Sequence, residues 1–147
     1  MSIESEHPNP TRRSKYRYLF TKKHHGGGTS QDAQWHPELT RDEEFLVFDQ
    51  ADFHEICEDN GCLYGVLCSP EKKLRDLGTW LQQVAEFPEA TASGPWHGYP
   101  VWAVNGDAPS NRANEKMRPS KMIFQKLEAV GLVTAQQRKR LFKGQHA

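Results

Sequence analysis

The run Cys62-Leu63-Tyr64-Gly65-Val66-Leu67-Cys68 passes directly into Ser69-Pro70-Glu71. Seven uncharged residues, bounded by Asn60-Gly61 on one side and Ser69-Pro70 on the other, have the length and content of a strand buried on both faces. Such a strand belongs in the middle of a sheet. The three residues after it form a helix-start signal, a Ser cap with Pro in the first turn. Leu74, Leu77, Leu81 and Val84 then recur at helical spacing. They predict one buried stripe on a helix from Ser69 to about Phe87, stopped by Pro88, with Glu71 and Arg75 as an i,i+4 ion pair. With the elements on either side, the order β-α-β-α-β-α-α indicates the α+β class, or a small α/β fold.

Toward the N-terminus, Glu44-Phe45-Leu46-Val47-Phe48 is a short apolar run and predicts another strand. Asp49 is the expected cap of a helix over 50–59, which ends at Asn60-Gly61. Toward the C-terminus, residues 88–95 are a loop and Tyr99 to Val104 a third strand, which Pro100 assigns to a sheet edge. Residues 105–118 (NGDAPSNRANEKMR) are a polar loop. Pro119 to Val130 is a helix closed by Gly131. Thr134-Ala135-Gln136-Gln137 is a capping box that opens a last helix to about Lys143. The expected architecture is a small mixed sheet of about three strands with four helices, the last two forming a C-terminal αα-hairpin.

Residues 1–14 are polar apart from one Ile in 2–14, and His24-His25-Gly26-Gly27-Gly28 reads as a linker. Residues 1–30 are therefore expected to be a disordered or flexible basic arm, and 31–147 a single globular domain. The arm contains Tyr16, Tyr18 and Phe20, which would share one face of a strand. Hydrophobic residues make up 36% of the chain and mean hydropathy is −0.81, so four Trp, four Tyr and seven Phe must supply much of the core volume. Three Cys in 147 residues are too few for a disulfide framework, which favours a cytoplasmic setting. No segment has the roughly 20 apolar residues of a membrane span, so no membrane partner is expected.

The net charge of zero conceals three blocks of opposite sign. Residues 1–30 carry six Lys/Arg against two Asp/Glu, residues 31–100 four against fourteen, and residues 101–147 nine against three. A basic end attracts phosphate, while an acidic middle repels it or covers the basic end.

Trp96-His97-Gly98-Tyr99-Pro100-Val101-Trp102 gathers two Trp, a Tyr and a His. On a strand His97 and Tyr99 would face one way and Trp96 the other. Imidazole is the commonest acid/base group near neutral pH, and rings stack bases, so Trp96, His97 and Tyr99 are candidate contacts. The basic stretch that follows adds Arg112, Lys116, Arg118 and Lys121, the last two flanking a helix start. Arg138, Lys139 and Arg140 add further charge on the last helix. The spacing His54-x2-Cys57-x4-Cys62-x5-Cys68 matches no common zinc pattern. The acids of 42–59 show no ordered ligand spacing. No metal or cofactor is expected, and no phosphate loop, nucleophile elbow or zinc-protease motif is present.

These readings favour a non-catalytic cytoplasmic binding protein. It would use the aromatic strand and the basic C-terminal face against a nucleic acid (RNA or DNA) or an acidic protein surface. Two alternatives stand beside it. One is a small metal-independent nuclease, or other phosphodiester-acting enzyme, with His97 as acid/base and Arg112 and Lys116 on the phosphate. The other is a regulator acting through its acidic 42–59 face.

Overall fold

The computed structural model describes residues 4–13, 16–26, 33–91, 94–101 and 119–147. Five short strands and three α-helices lie among them. The strands are β1 (Ser5–Glu6), β2 (Leu19–Phe20), β3 (Leu63–Gly65), β4 (Val84–Phe87) and β5 (Tyr99–Val101); the helices are α1 (Arg41–Phe53), α2 (Lys121–Ala129) and α3 (Ala135–Phe142). β1 and β2 pair antiparallel, and β3-β4-β5 form a three-stranded antiparallel sheet. The fold is α+β, with two small antiparallel sheets in place of one mixed sheet.

Strand alternation sends successive side chains to opposite faces, and each face of the larger sheet carries its own core. Leu63, Ala85 and Phe87 pack with Phe45, Phe48 and Ala51 of α1, and with Tyr18, Phe20, Trp35 and Trp96. Tyr64, Val84 and Val101 pack with Ile123, Phe124 and Leu127 of α2 and Leu141 of α3. Each large apolar side chain buried here stabilises by about 1.5–3 kcal/mol. The approach of α1 to β3 requires a glycine. A Cβ on Gly65 would lie 2.6 Å from the Val47 carbonyl oxygen.

α1 begins at Thr40, whose hydroxyl accepts from the Glu43 N–H while the Glu43 carboxylate accepts from the Thr40 N–H. This capping box starts the helix a full turn before the expected strand at 44–48, so Phe45 and Phe48 are helical neighbours, not strand residues. The helix ends at Phe53, and the one expected over 50–59 does not exist as such.

No helix spans 69–87. Leu74 and Val84 belong to one core, Leu77 to the other, and Leu81 is 57% exposed, so the four apolar positions do not form a single stripe. Residues 67–75 instead double back, with Cys68 and Leu74 bridged antiparallel, and the chain then enters β4. Ser69-Pro70 serves the turn, since Pro presets φ for a turn's second position as readily as for a helix start. Arg75 pairs with Glu43 at 2.7 Å, and not with Glu71. Four helices were expected, and three stand among the described residues. β4, misread as helix, is the central strand; β3 lies at an edge, and its apolar run reflects helices on both faces of the sheet. The strand expected over 99–104 is present as β5, the other edge; residues beyond Val101 lie outside the described residues.

The basic arm is part of the fold where it is described. Tyr18 is fully buried and Phe20 nearly so. Tyr18 forms a parallel bridge with Trp96, and the Leu19 N–H donates to the Trp96 carbonyl at 2.7 Å. Composition predicted a loose arm because one strand's worth of aromatics is diluted by polar neighbours. Those aromatics fill the space between α1 and the sheet.

Candidate functional site

The aromatic stretch 96–101 is core, not an open platform. Trp96 is 7% exposed and its ring packs on Phe48 and Tyr16 at centroid separations of 5.8 and 5.3 Å. Little of its ring is left exposed to stack on a base. Tyr99 is half-buried, with its ring against His24 at 4.8 Å. His97 is also half-buried. Burial, then Lys23, lower its pKa, with Glu4 opposing.

The register Tyr64↔Glu86↔Tyr99 sets three polar side chains in one row across the sheet. The Tyr64 hydroxyl donates to Glu86 Oε1 at 2.5 Å and the Tyr99 hydroxyl to Oε2 at 2.8 Å. Glu86 is 1% exposed. Burial raises its pKa against the opposing effect of the two phenols. Both tyrosines are pushed far up, first by burial and then by the adjacent carboxylate. Sequence reasoning missed this row because Glu86 was read into a helix, and only pairing register brings it between two tyrosines.

The acids of α1 are occupied. Asp49 accepts from the Arg12 N–H at 2.8 Å and pairs with the Arg12 side chain. Asp52, fully buried, accepts from the Thr11 hydroxyl at 2.6 Å and from the Arg13 guanidinium. Glu44, also buried, accepts from the Tyr18 hydroxyl at 2.7 Å and from His25 Nε2 at 2.6 Å. Three of the eight acids in 42–59 are thus turned inward, Asp49 and Asp52 against the arm's arginines and Glu44 against Tyr18 and His25. Asp42, Glu55 and Asp59 remain exposed, with Glu43 and Glu58 partly so.

His25 faces an acceptor on each ring nitrogen, the Thr21 carbonyl at 2.5 Å from Nδ1 and Glu44 on Nε2. Two acceptors require two N–H groups, so the imidazolium fits and the neutral ring loses a bond. Burial alone would lower the pKa; Glu44 outweighs it and the pKa is raised, with Arg41 opposing. Stability from this pair is therefore full below the ordinary His value of about 6.5 and is lost as pH rises through the folded value. His25→Gln should cost about 1–2 kcal/mol at pH 6 and less at pH 8, by thermal melts at both. A gap that widens with pH would show that His25 is neutral in the fold. A cavity of about 470 Å³ lies beside this pair, lined by Trp35, His36, Leu39 and Arg41 among others.

The expected basic residues divide into three groups. Arg112, Lys116 and Arg118 lie outside the described residues. Arg138 is paired with Glu128, and Lys126 donates to the Cys57 carbonyl at 2.9 Å. Lys121 is exposed, its ammonium 5.7 Å from the Phe142 ring centre. Lys139, Arg140 and Lys143 are exposed and make no ion pair among the described residues. The three cysteines are free, and burial pushes the Cys62 and Cys68 thiols up, away from nucleophilic chemistry. Among the described residues no three His, Cys, Asp or Glu gather to hold a metal, and no helix is long and apolar enough to cross a membrane. No protein family matches the chain, and no curated protein or solved structure matches it either.

Proposed function

We propose that the protein is a non-catalytic binding protein whose C-terminal basic face engages nucleic acid. The observation that carries this reading is the contrast between the two basic ends. Arg12 and Arg13 of the N-terminal arm pair with the α1 carboxylates Asp49 and Asp52, and Arg17 with Glu6, whereas Lys139, Arg140 and Lys143 extend into solvent without a carboxylate partner among the described residues. Unneutralised cations on one helix and its C-terminal flank attract a polyanion, and phosphate contacts release counterions on binding. The aromatic stretch contributes rigidity instead of stacking, because Trp96 is core. A reducing compartment such as the cytoplasm suits three free thiols.

Fluorescence anisotropy with labelled single- and double-stranded RNA and DNA, from low to moderate salt, tests the reading. Log affinity should fall linearly with log salt. The triple change Lys139→Gln, Arg140→Gln, Lys143→Gln should flatten that slope by about two to three with the fold intact by circular dichroism. Absence of binding to every probe at low salt would remove nucleic acid as the partner and leave an acidic protein surface. The same oligonucleotides should be recovered whole after incubation. Cleavage that disappears in a folded His97→Ala variant would replace the binding reading with the phosphodiester-acting one.

A further inference from the structure

Two lysines from the acidic middle of the sequence are carried to α3 by a tight turn. The Ser69 N–H donates to the Lys73 carbonyl at 2.8 Å, the Lys72 N–H to the Ser69 carbonyl at 2.9 Å, and the Lys73 N–H to Ser69 Oγ at 3.2 Å. This turn leaves Lys72 at φ 61°, in the left-handed region that glycine adopts freely and other residues adopt at a cost. Gln137 Nε2 donates to the Lys72 carbonyl at 2.7 Å and holds the turn against α3. Gln137 is the third residue of that helix, one turn ahead of Arg140. Lys72 and Lys73 are both exposed, and neither forms an ion pair among the described residues.

Nothing in the core explains a lysine at position 72. Its side chain is exposed, and glycine would relieve the left-handed strain. Glu55 and Leu81 are exposed at positive φ as well, so what distinguishes Lys72 is its place, held by Gln137 beside the cations of α3 that are unpaired among the described residues. We propose that Lys72 and Lys73 form the second half of the α3 surface, so that a phosphodiester backbone is gripped from two elements at once. Gln137 acts as the positioning residue between them. Glu71, exposed in the same turn, opposes phosphate and reduces the turn's net charge, so the grip depends on α3 supplying the rest. This inference rests on the nucleic-acid reading above.

The test uses the full chain, a labelled single-stranded RNA and a salt series. Lys72→Gly should weaken binding about three- to tenfold at low salt and reduce the salt slope by about one. Its melting temperature should be unchanged or higher, because the left-handed strain is gone. Adding Lys73→Gln should take the slope reduction to about two. Lys72→Arg keeps the charge and should bind like the wild type. Gln137→Ala should weaken binding and lower the slope by up to about two, because the Lys72 and Lys73 contacts are loosened, with circular dichroism checking that α3, whose capping box Gln137 completes, is intact. If the Lys72→Gly, Lys73→Gln double variant binds as the wild type does, while the α3 triple change weakens binding, this inference fails and the nucleic-acid reading survives. If the wild type binds no nucleic acid, the reading itself fails and takes the inference with it.

Discussion

Tyr18→Ala should lower stability by about 3–5 kcal/mol, the usual cost of emptying a large aromatic site in a close-packed core. The ring touches Phe20, Phe45, Phe48 and Phe87, with centroids 5.1–6.3 Å away. Its hydroxyl is one of two donors to the buried Glu44 carboxylate. Tyr18→Phe keeps the ring and removes that donor alone, so it should cost about 1–3 kcal/mol. Urea unfolding of both variants separates the packing effect from the hydrogen bond. Deleting residues 1–20 should abolish cooperative unfolding altogether, since Tyr18, Phe20 and the Thr11 and Arg13 bonds to Asp52 leave together. A deletion variant that melts at the wild-type temperature would reinstate the loose arm that composition predicts.

Glu86→Ala should cost about 2–5 kcal/mol, because it leaves two buried phenol hydroxyls without an acceptor. Glu86→Gln should cost much less, since the amide oxygen still accepts from one tyrosine and the amide nitrogen donates to the other. The two variants also differ from wild type in pH dependence. The Glu86 carboxyl is raised in the fold by burial. The folded state therefore holds a proton that the unfolded chain has released. The stability that this proton confers is full below the ordinary Glu value of about 4.3 and is lost as pH rises through the folded value. The gap between wild type and Glu86→Gln should accordingly change over that mildly acidic window and stay constant above it. A gap that is flat across the whole window would mean that the tyrosines hold the carboxylate at its ordinary pKa.

Much of the C-terminal region was legible because its signals are local. Thr134 and Gln137 cap α3 as the spacing predicts, and Ile123 and Leu127 face the core of α2 at helical spacing. The same kind of signal stood at Thr40 and Glu43. Asp49, the expected cap, is instead a buried partner of Arg12 within that helix. The segment 69–87 differs from the expected helix because leucines three and four apart satisfy a helix and also a doubling-back chain that sends Leu74 to one core, Leu77 to the other and Leu81 to solvent. Spacing along the chain cannot separate those cases. The candidate face followed the same division. Lys139 and Arg140 could be read from a capped helix, whereas Lys72 and Lys73 join it only through the Gln137 bond to a turn 65 residues away in sequence.

The amino-acid sequence by itself determined the α+β class, the starts and stops of the last two helices, the edge position that Pro100 imposes on its strand, and the separation of charge into three blocks. These depend on backbone chemistry and on neighbours within a few residues. Only the tertiary structure decided which charges remain available. Burial drew Glu44, Asp49 and Asp52 inward, where a carboxylate is tolerated only when paired, and the arm's His25, Arg12 and Arg13 supply those pairs. The pairing engages Arg12, Arg13 and His25 of the arm and leaves Lys139, Arg140 and Lys143 in solvent, because desolvation and not sequence position sets which ions must find a partner.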